Sequence, residues 1–198
     1  MKKIMFNDHF GLTQAVLDGR KTQTRRIVSD QIENEYDAWY EELLYKPLDE
    51  QEPYLSLEEW LLKKAHYQAG EVVSVAQSYH TLNESGYIAP EWCAHECEDH
   101  AGYKNKMFVK ASLMPHHVKI TDVRMERLQD ISDKDCFKEG LEFLNGGYYV
   151  SYDKKNHSRI WLGKTPQEAY AALIDKISGK GTWEHNPLVW VYDFKLID

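Results

Sequence analysis

The chain has 198 residues, 42% of them hydrophobic and 28% charged, with a formal net charge of −8. That length can bury a substantial core, and the composition is that of ordinary globular proteins rather than disordered or fibrous chains. The N-terminus, Met-Lys-Lys-Ile-Met-Phe, soon meets Asn7, Asp8 and His9, so it lacks the apolar run of a secretory signal, and no later stretch nears the roughly eighteen apolar residues of a membrane span. A cytoplasmic protein without a membrane partner is expected. Three cysteines, Cys93, Cys97 and Cys136, leave one unpaired however the others combine, which argues for reduced thiols.

The charge is unevenly distributed. From Asp30 to Leu62 there are eleven acidic residues and one basic residue, Lys46, so this segment carries −10 while the other 165 residues carry +2, from 23 basic and 21 acidic side chains. A polyanion partner stays open for the remainder, whereas indiscriminate electrostatic binding to nucleic acid does not fit.

In chain order, Lys3 to Phe6 suits a short strand, and Phe10, Leu12, Ala15, Val16 and Leu17 recur at helical spacing over residues 9 to 18. Gly19 then stands just past the helix end. From Gly19 to Arg26 the chain reads Gly-Arg-Lys-Thr-Gln-Thr-Arg-Arg, with Arg20, Lys21, Arg25 and Arg26 around Thr22 and Thr24. At a helix-to-strand junction such side chains can converge on an anionic or carbonyl-bearing ligand; alternatively the cations simply complement the negative end of the helix dipole. The acidic insert carries two amphipathic helical patterns separated by Pro47 and Pro53, the second opened by a Ser56/Glu59 capping box. It reads as a lid over a groove or as an accessory helical pair.

Val72 to Tyr79 alternates as a strand with Val73, Val75, Gln77 and Tyr79 on one face, suited to lining a cavity. Residues 80 to 105 read as loop. Cys93, His95, Cys97 and His100 within it are ligand types that zinc prefers, set against a plain polar surface loop. Met107 to Ala111 and Val118 to Leu128 read as strands, the latter with a bulge near Asp122. Ser132 opens a helix that ends near Glu139, a carboxylate opposed by the helix dipole unless a cation compensates. A short strand over 148 to 152 and a loop over 153 to 164 follow. Thr165, Pro166 and Glu168 start a helix that Gly179 and Gly181 end. Leu188 to Leu196 is the clearest strand and reads as central. Strands and helices at irregular intervals give an α+β class.

Several motifs stand in a recognisable order: Gly-Arg-Lys-Thr-x-Thr-Arg, a Gly-Glu turn into a Val-rich strand, Arg-x-Glu-Arg-Leu, Asp-Lys-Asp-x-x-x-Glu-Gly and a terminal Asn-Pro-x-Val-Trp-Val. In these the chain resembles the ASCH domain of the PUA-like superfamily, in its phage-associated bacterial form. The resemblance implies one domain over residues 1–198, a small β-barrel flanked by helices, with insertions at about 30–66 and 80–105. It also implies a cleft for RNA or a modified nucleoside or nucleotide, with Arg20, Arg25 and Arg26 on phosphate, Tyr79 stacking a base and Gln77 lining the cleft. Similarity to the small acetylcytidine amidohydrolases implies a second reading, amide hydrolysis by Lys21, Thr24 and Glu139. A third reading is a scaffold stapled by zinc at Cys93, His95, Cys97 and His100 that docks a protein. The first two need no cofactor.

Overall fold

Among the described residues, two sheets and seven α-helices form around the apolar stripes of the sequence. The structure is a computed structural model and describes residues 1–47, 49–50, 53–87, 101–153 and 158–197. In chain order the strands and helices are β1 (Lys3–Ile4), α1 (Leu12–Leu17), β2 (Gln23–Ile27), α2 (Asp30–Tyr45), α3 (Leu57–Lys64), β3 (Val72–Val75), α4 (Tyr79–Glu84), β4 (His117–Arg127), α5 (Asp133–Lys138), β5 (Leu141–Leu144), β6 (Gly147–Asp153), β7 (Ser158–Gly163), α6 (Pro166–Ser178), α7 (Thr182–His185) and β8 (Leu188–Leu196). The α+β class holds.

The larger sheet has the order β1-β3-β4-β8-β2. Only the β1–β3 pairing is parallel. As its alternation requires, β8 lies inside the sheet, between β4 and β2, with Val189, Val191, Tyr192 and Phe194 buried. The β4–β8 register shifts between Ile120 and Asp122, at the expected bulge.

Among the described residues this sheet does not close, and the expected barrel is not found. β1 has two residues and is hydrogen-bonded only to β3, so no ladder joins it to β2. A side chain spans the gap instead: the Arg26 guanidinium donates to the carbonyl of Met5.

Four expectations are corrected. β3 stops at Val75, because the Ser78 hydroxyl accepts from the Thr81 amide and starts α4 inside the expected loop. Met107 to Ala111 is no strand. The turns at Lys106–Phe108 and Ala111–Leu113 satisfy its amides locally, and the Lys3 ammonium takes the carbonyls of Lys106, Met107 and Val109. The expected loop over 153 to 164 contains β7, which pairs with β6. β5, which was not expected, pairs with β6 across Asn145 and Gly146, at φ 50° and 81°. Asn-Gly favours this two-residue hairpin because both central residues need positive φ.

The insert forms the two expected helices, α2 and α3, with the Ser56/Glu59 capping box complete. Tyr36, Trp39 and Trp60 cluster between them, and Trp190 Nε1 donates to the Leu61 carbonyl at 3.0 Å, fixing α3 to β8. A core of Ile4, Val16, Val75, Ile120, Leu128, Leu173 and Val191 joins sheet and helices. Tyr79, Leu82, Val109 and Met114 form a separate cluster under α4.

Candidate functional site

Local backbone geometry brings Lys21 inward. α1 ends at Leu17 with Asp18 as its C-cap, Gly19 takes φ 72°, and the Ala15 carbonyl accepts from the amides of both Arg20 and Lys21, at 2.9 and 2.8 Å. The Thr22 amide donates to Lys138 at 2.9 Å, tying this corner to the end of α5. β2 begins only at Gln23. Lys21 is thus free of the strand's alternation and lines the same cavity as Thr24.

Glu139 arrives from the other side as the residue capping the C-terminus of α5. The next residue, Gly140, lies at φ 102° and brings the chain against α1, where a β-carbon would sit 3.3 Å from Leu12 Cδ2 and 3.6 Å from Lys21 Cβ. Lys21 Nζ donates to Glu139 Oε2 at 2.6 Å, to the Glu139 carbonyl at 2.9 Å and to the Gln23 carbonyl at 2.8 Å. The cation that Glu139 needs against the helix dipole is therefore Lys21, 118 residues earlier in the chain.

Arg25 completes the cluster. Its Nη1 donates to Glu139 Oε1 at 3.1 Å and to Gln23 Oε1 at 2.6 Å, while Nη2 donates to Glu126 Oε2 at 2.8 Å. Lys21, Arg25 and Glu139 are 2%, 5% and 4% exposed, so their charges interact with little screening by water. Burial lowers the Lys21 pKa below its ordinary value, against the opposing pull of Glu139. For Arg25, burial also disfavours charge, but Glu139, Tyr170 and Glu126 outweigh it and hold the guanidinium charged.

These groups border a cavity of about 400 Å³, within the size range of small-molecule sites. Lys21, Thr24, Arg25, Arg26, Glu139 and Tyr170 supply its polar lining, and Leu173, Ile174 and Ile177 of α6 part of its apolar wall. Phe6 and Asn7, just after β1, face Thr24 to Ile27 of β2, so the cavity occupies the gap in the unclosed sheet. Thr24 is 4% exposed, and no described group hydrogen-bonds its hydroxyl.

The other candidate residues are distributed differently. Arg26 lines the cavity with its guanidinium 6.0 Å from the centre of the Phe6 ring. Arg20 is not in the lining; it pairs with Asp18 at 3.0 Å and Glu142 at 2.5 Å. Tyr79 is buried in the cluster under α4, away from this lining, because its strand ended early. Gln77 borders a second cavity of about 240 Å³ with Asp8, Thr13, Gln14 and Thr81, and its buried Oε1 lacks a hydrogen-bond partner. No described residue of the acidic insert lines the larger cavity.

Cys93, His95, Cys97 and His100 lie outside the described residues. Among the described residues no group of three or more His, Cys, Asp and Glu side chains is arranged to hold a metal ion. Cys136 is a buried free thiol pushed up to about 12, chiefly by burial, and so is a poor nucleophile. No described helix is long and apolar enough to cross a membrane.

Sequence reasoning missed Gln23, Glu126 and Tyr170. Glu126 stands in the Arg-x-Glu-Arg-Leu motif, and Tyr170, Leu173, Ile174 and Ile177 keep the i, i+3, i+4, i+7 spacing of one helix face. Gln23 carried no sequence signal beyond its position between two threonines.

No family model, curated protein or solved structure matches the chain.

Proposed function

We propose that the chain is an ASCH-type, PUA-like protein whose cavity takes a modified nucleoside and hydrolyses an amide on its base. The observation that carries this reading is the combination of a buried lysine, held by a buried carboxylate, with an unengaged threonine hydroxyl in one cavity. A threonine hydroxyl needs a neighbouring base to become a nucleophile, and a lysine serves only when its environment favours the neutral amine. Burial pushes Lys21 in that direction, with smaller contributions from Arg26 and Arg25. In this reading Thr24 attacks the amide carbonyl, Lys21 takes and returns the proton, and Glu139 fixes the lysine.

The ion pairs also bear on the ligand. Lys21 and Arg25 are committed to Glu139 and Glu126, so among the described residues Arg26 is the one cation of the cavity lining without a carboxylate. This favours a nucleoside, or one carrying a single phosphate, over a longer RNA segment.

The test is incubation with acetylcytidine, following cytidine and acetate by chromatography and binding by calorimetry. Wild type should release both products. Thr24→Ala and Lys21→Ala should each lose about 10²-fold or more in rate while binding is largely kept. Binding without products in wild type would reduce the site to a recognition cleft.

A further inference from the structure

We infer that the Tyr170 hydroxyl is the hydrogen-bond donor that receives the carbonyl oxygen of the acyl group in this cavity, an inference that rests on the amide-cleaving reading. Tyr170 lies on the first turns of α6, is 2% exposed, and lines the cavity with Lys21, Thr24 and Glu139. The polar groups around it are largely committed. Lys21 donates to three acceptors, both Nη atoms of Arg25 serve carboxylates or Gln23, and Arg26 donates to the Met5 carbonyl through Nη2.

Among the described residues neither the Tyr170 nor the Thr24 hydroxyl has a hydrogen-bond partner. Arg25 Nε is also unpartnered, but it is sealed from solvent. Unlike Arg25 Nε, the two hydroxyls are not sealed, so in the cavity they can meet a ligand or water. Two free hydroxyls in one cavity divide the work: the aliphatic one, sharing the lining with an amine, can attack, and the phenol can donate.

The surroundings suit a donor. The Arg25 guanidinium lies 5.9 Å from the centre of the Tyr170 ring, which holds the ring by a cation–π contact. Burial, and after it Glu139, raises the Tyr170 pKa well above its ordinary value, so the proton stays on the phenol at neutral pH. A fixed O–H in a site screened from water stabilises a developing oxyanion without reorganising.

The step balances as follows. In molecules whose Lys21 ammonium has given up a proton to solvent, the Thr24 oxygen bonds to the carbonyl carbon, the π pair moves to the carbonyl oxygen, and the threonine proton passes to the Lys21 amine. Tyr170 donates a hydrogen bond to that oxygen but keeps its proton. On collapse the C=O re-forms, the C–N bond breaks, and Lys21 returns the proton to the leaving nitrogen. Water then releases the acyl group as acid by the same route, restoring Thr24.

Steady-state kinetics of wild type and Tyr170→Phe on acetylcytidine, with melting temperatures alongside, test this. The expected result is a fall in kcat of about 10²-fold with KM within about twofold, in protein that still folds. A purely structural role would lower the melting temperature and leave kcat per folded molecule unchanged. If the variant does not fold, 3,5-difluorotyrosine at position 170, nearly isosteric and a stronger donor, should change kcat by at least about threefold. An active wild type with kcat unmoved by either replacement overturns the role of Tyr170 and leaves the hydrolase reading standing. A wild type that binds acetylcytidine without cleaving it overturns both.

Discussion

Replacing Glu139 by glutamine keeps shape and removes charge, and it leaves two buried cations short of an anion. Lys21 would retain only the carbonyls of Gln23 and residue 139, and Arg25 would keep Glu126, Gln23 and, at 4.0 Å, Asp135. Breaking a buried ion pair from one side typically costs about 3–5 kcal/mol. For a chain of this length, at about 2–4 °C per kcal/mol, the melting temperature should fall by roughly 6–20 °C. The deficit should shrink with pH. Without Glu139 the Lys21 pKa falls further, so the folded variant binds fewer protons than the unfolded chain over a wider range, and its stability climbs as pH rises toward 10.5. Urea unfolding of wild type, Glu139→Gln, Lys21→Met and the double variant, at pH 7 and pH 9.5, measures both effects. The cycle should return a coupling of at least about 1 kcal/mol at pH 7. A loss below about 1 kcal/mol for Glu139→Gln, or a deficit that grows with pH, would refute the buried pairing.

Wild-type stability should also follow pH in two windows, read from urea midpoints. Lys21 has a lowered folded pKa, so its contribution rises from that value up to the ordinary 10.5. Tyr170, Tyr192, Tyr36 and Tyr67 are raised, the last two to about 12, so stability should fall once the unfolded tyrosines ionise above 10. Gly140→Ala should cost about 1–3 kcal/mol, since φ 102° strains any side chain there and its β-carbon presses Leu12; a change under about 0.3 kcal/mol in chemical denaturation would contradict this. Thr165→Ala removes the cap of α6 and should cost about 1 kcal/mol by the same measurement.

Local chemistry made several elements legible. Ser56, Ser132 and Thr165 each cap a helix as their spacing suggests, because a cap involves residues only three apart. β8 was legible because its apolar alternation runs for nine residues. What failed depends on distant partners. Ser158–Gly163 is a strand because β6 lies alongside, and the Met107 region is not one because Lys3 collects its carbonyls. At the site, the basic corner was visible as composition, but the distribution of its cations was not. The four cations at positions 20, 21, 25 and 26 look alike in sequence, yet Arg20 faces outward while Lys21 and Arg25 are buried. Tyr170 was hidden because a buried tyrosine on a helix face reads as core.

The 118 residues separating Lys21 from Glu139 set an order on biogenesis. At a translation rate of about 5–20 residues per second, the ammonium leaves the ribosome roughly 6–24 s before its counter-ion does. Over that interval the nascent N-terminal part lacks the carboxylate that pairs with Lys21 in the folded protein, so this corner stays hydrated until α5 emerges and docks. The pocket is therefore among the last features of the molecule to be completed during synthesis, and a ribosome stalled before residue 139 would carry a chain without it.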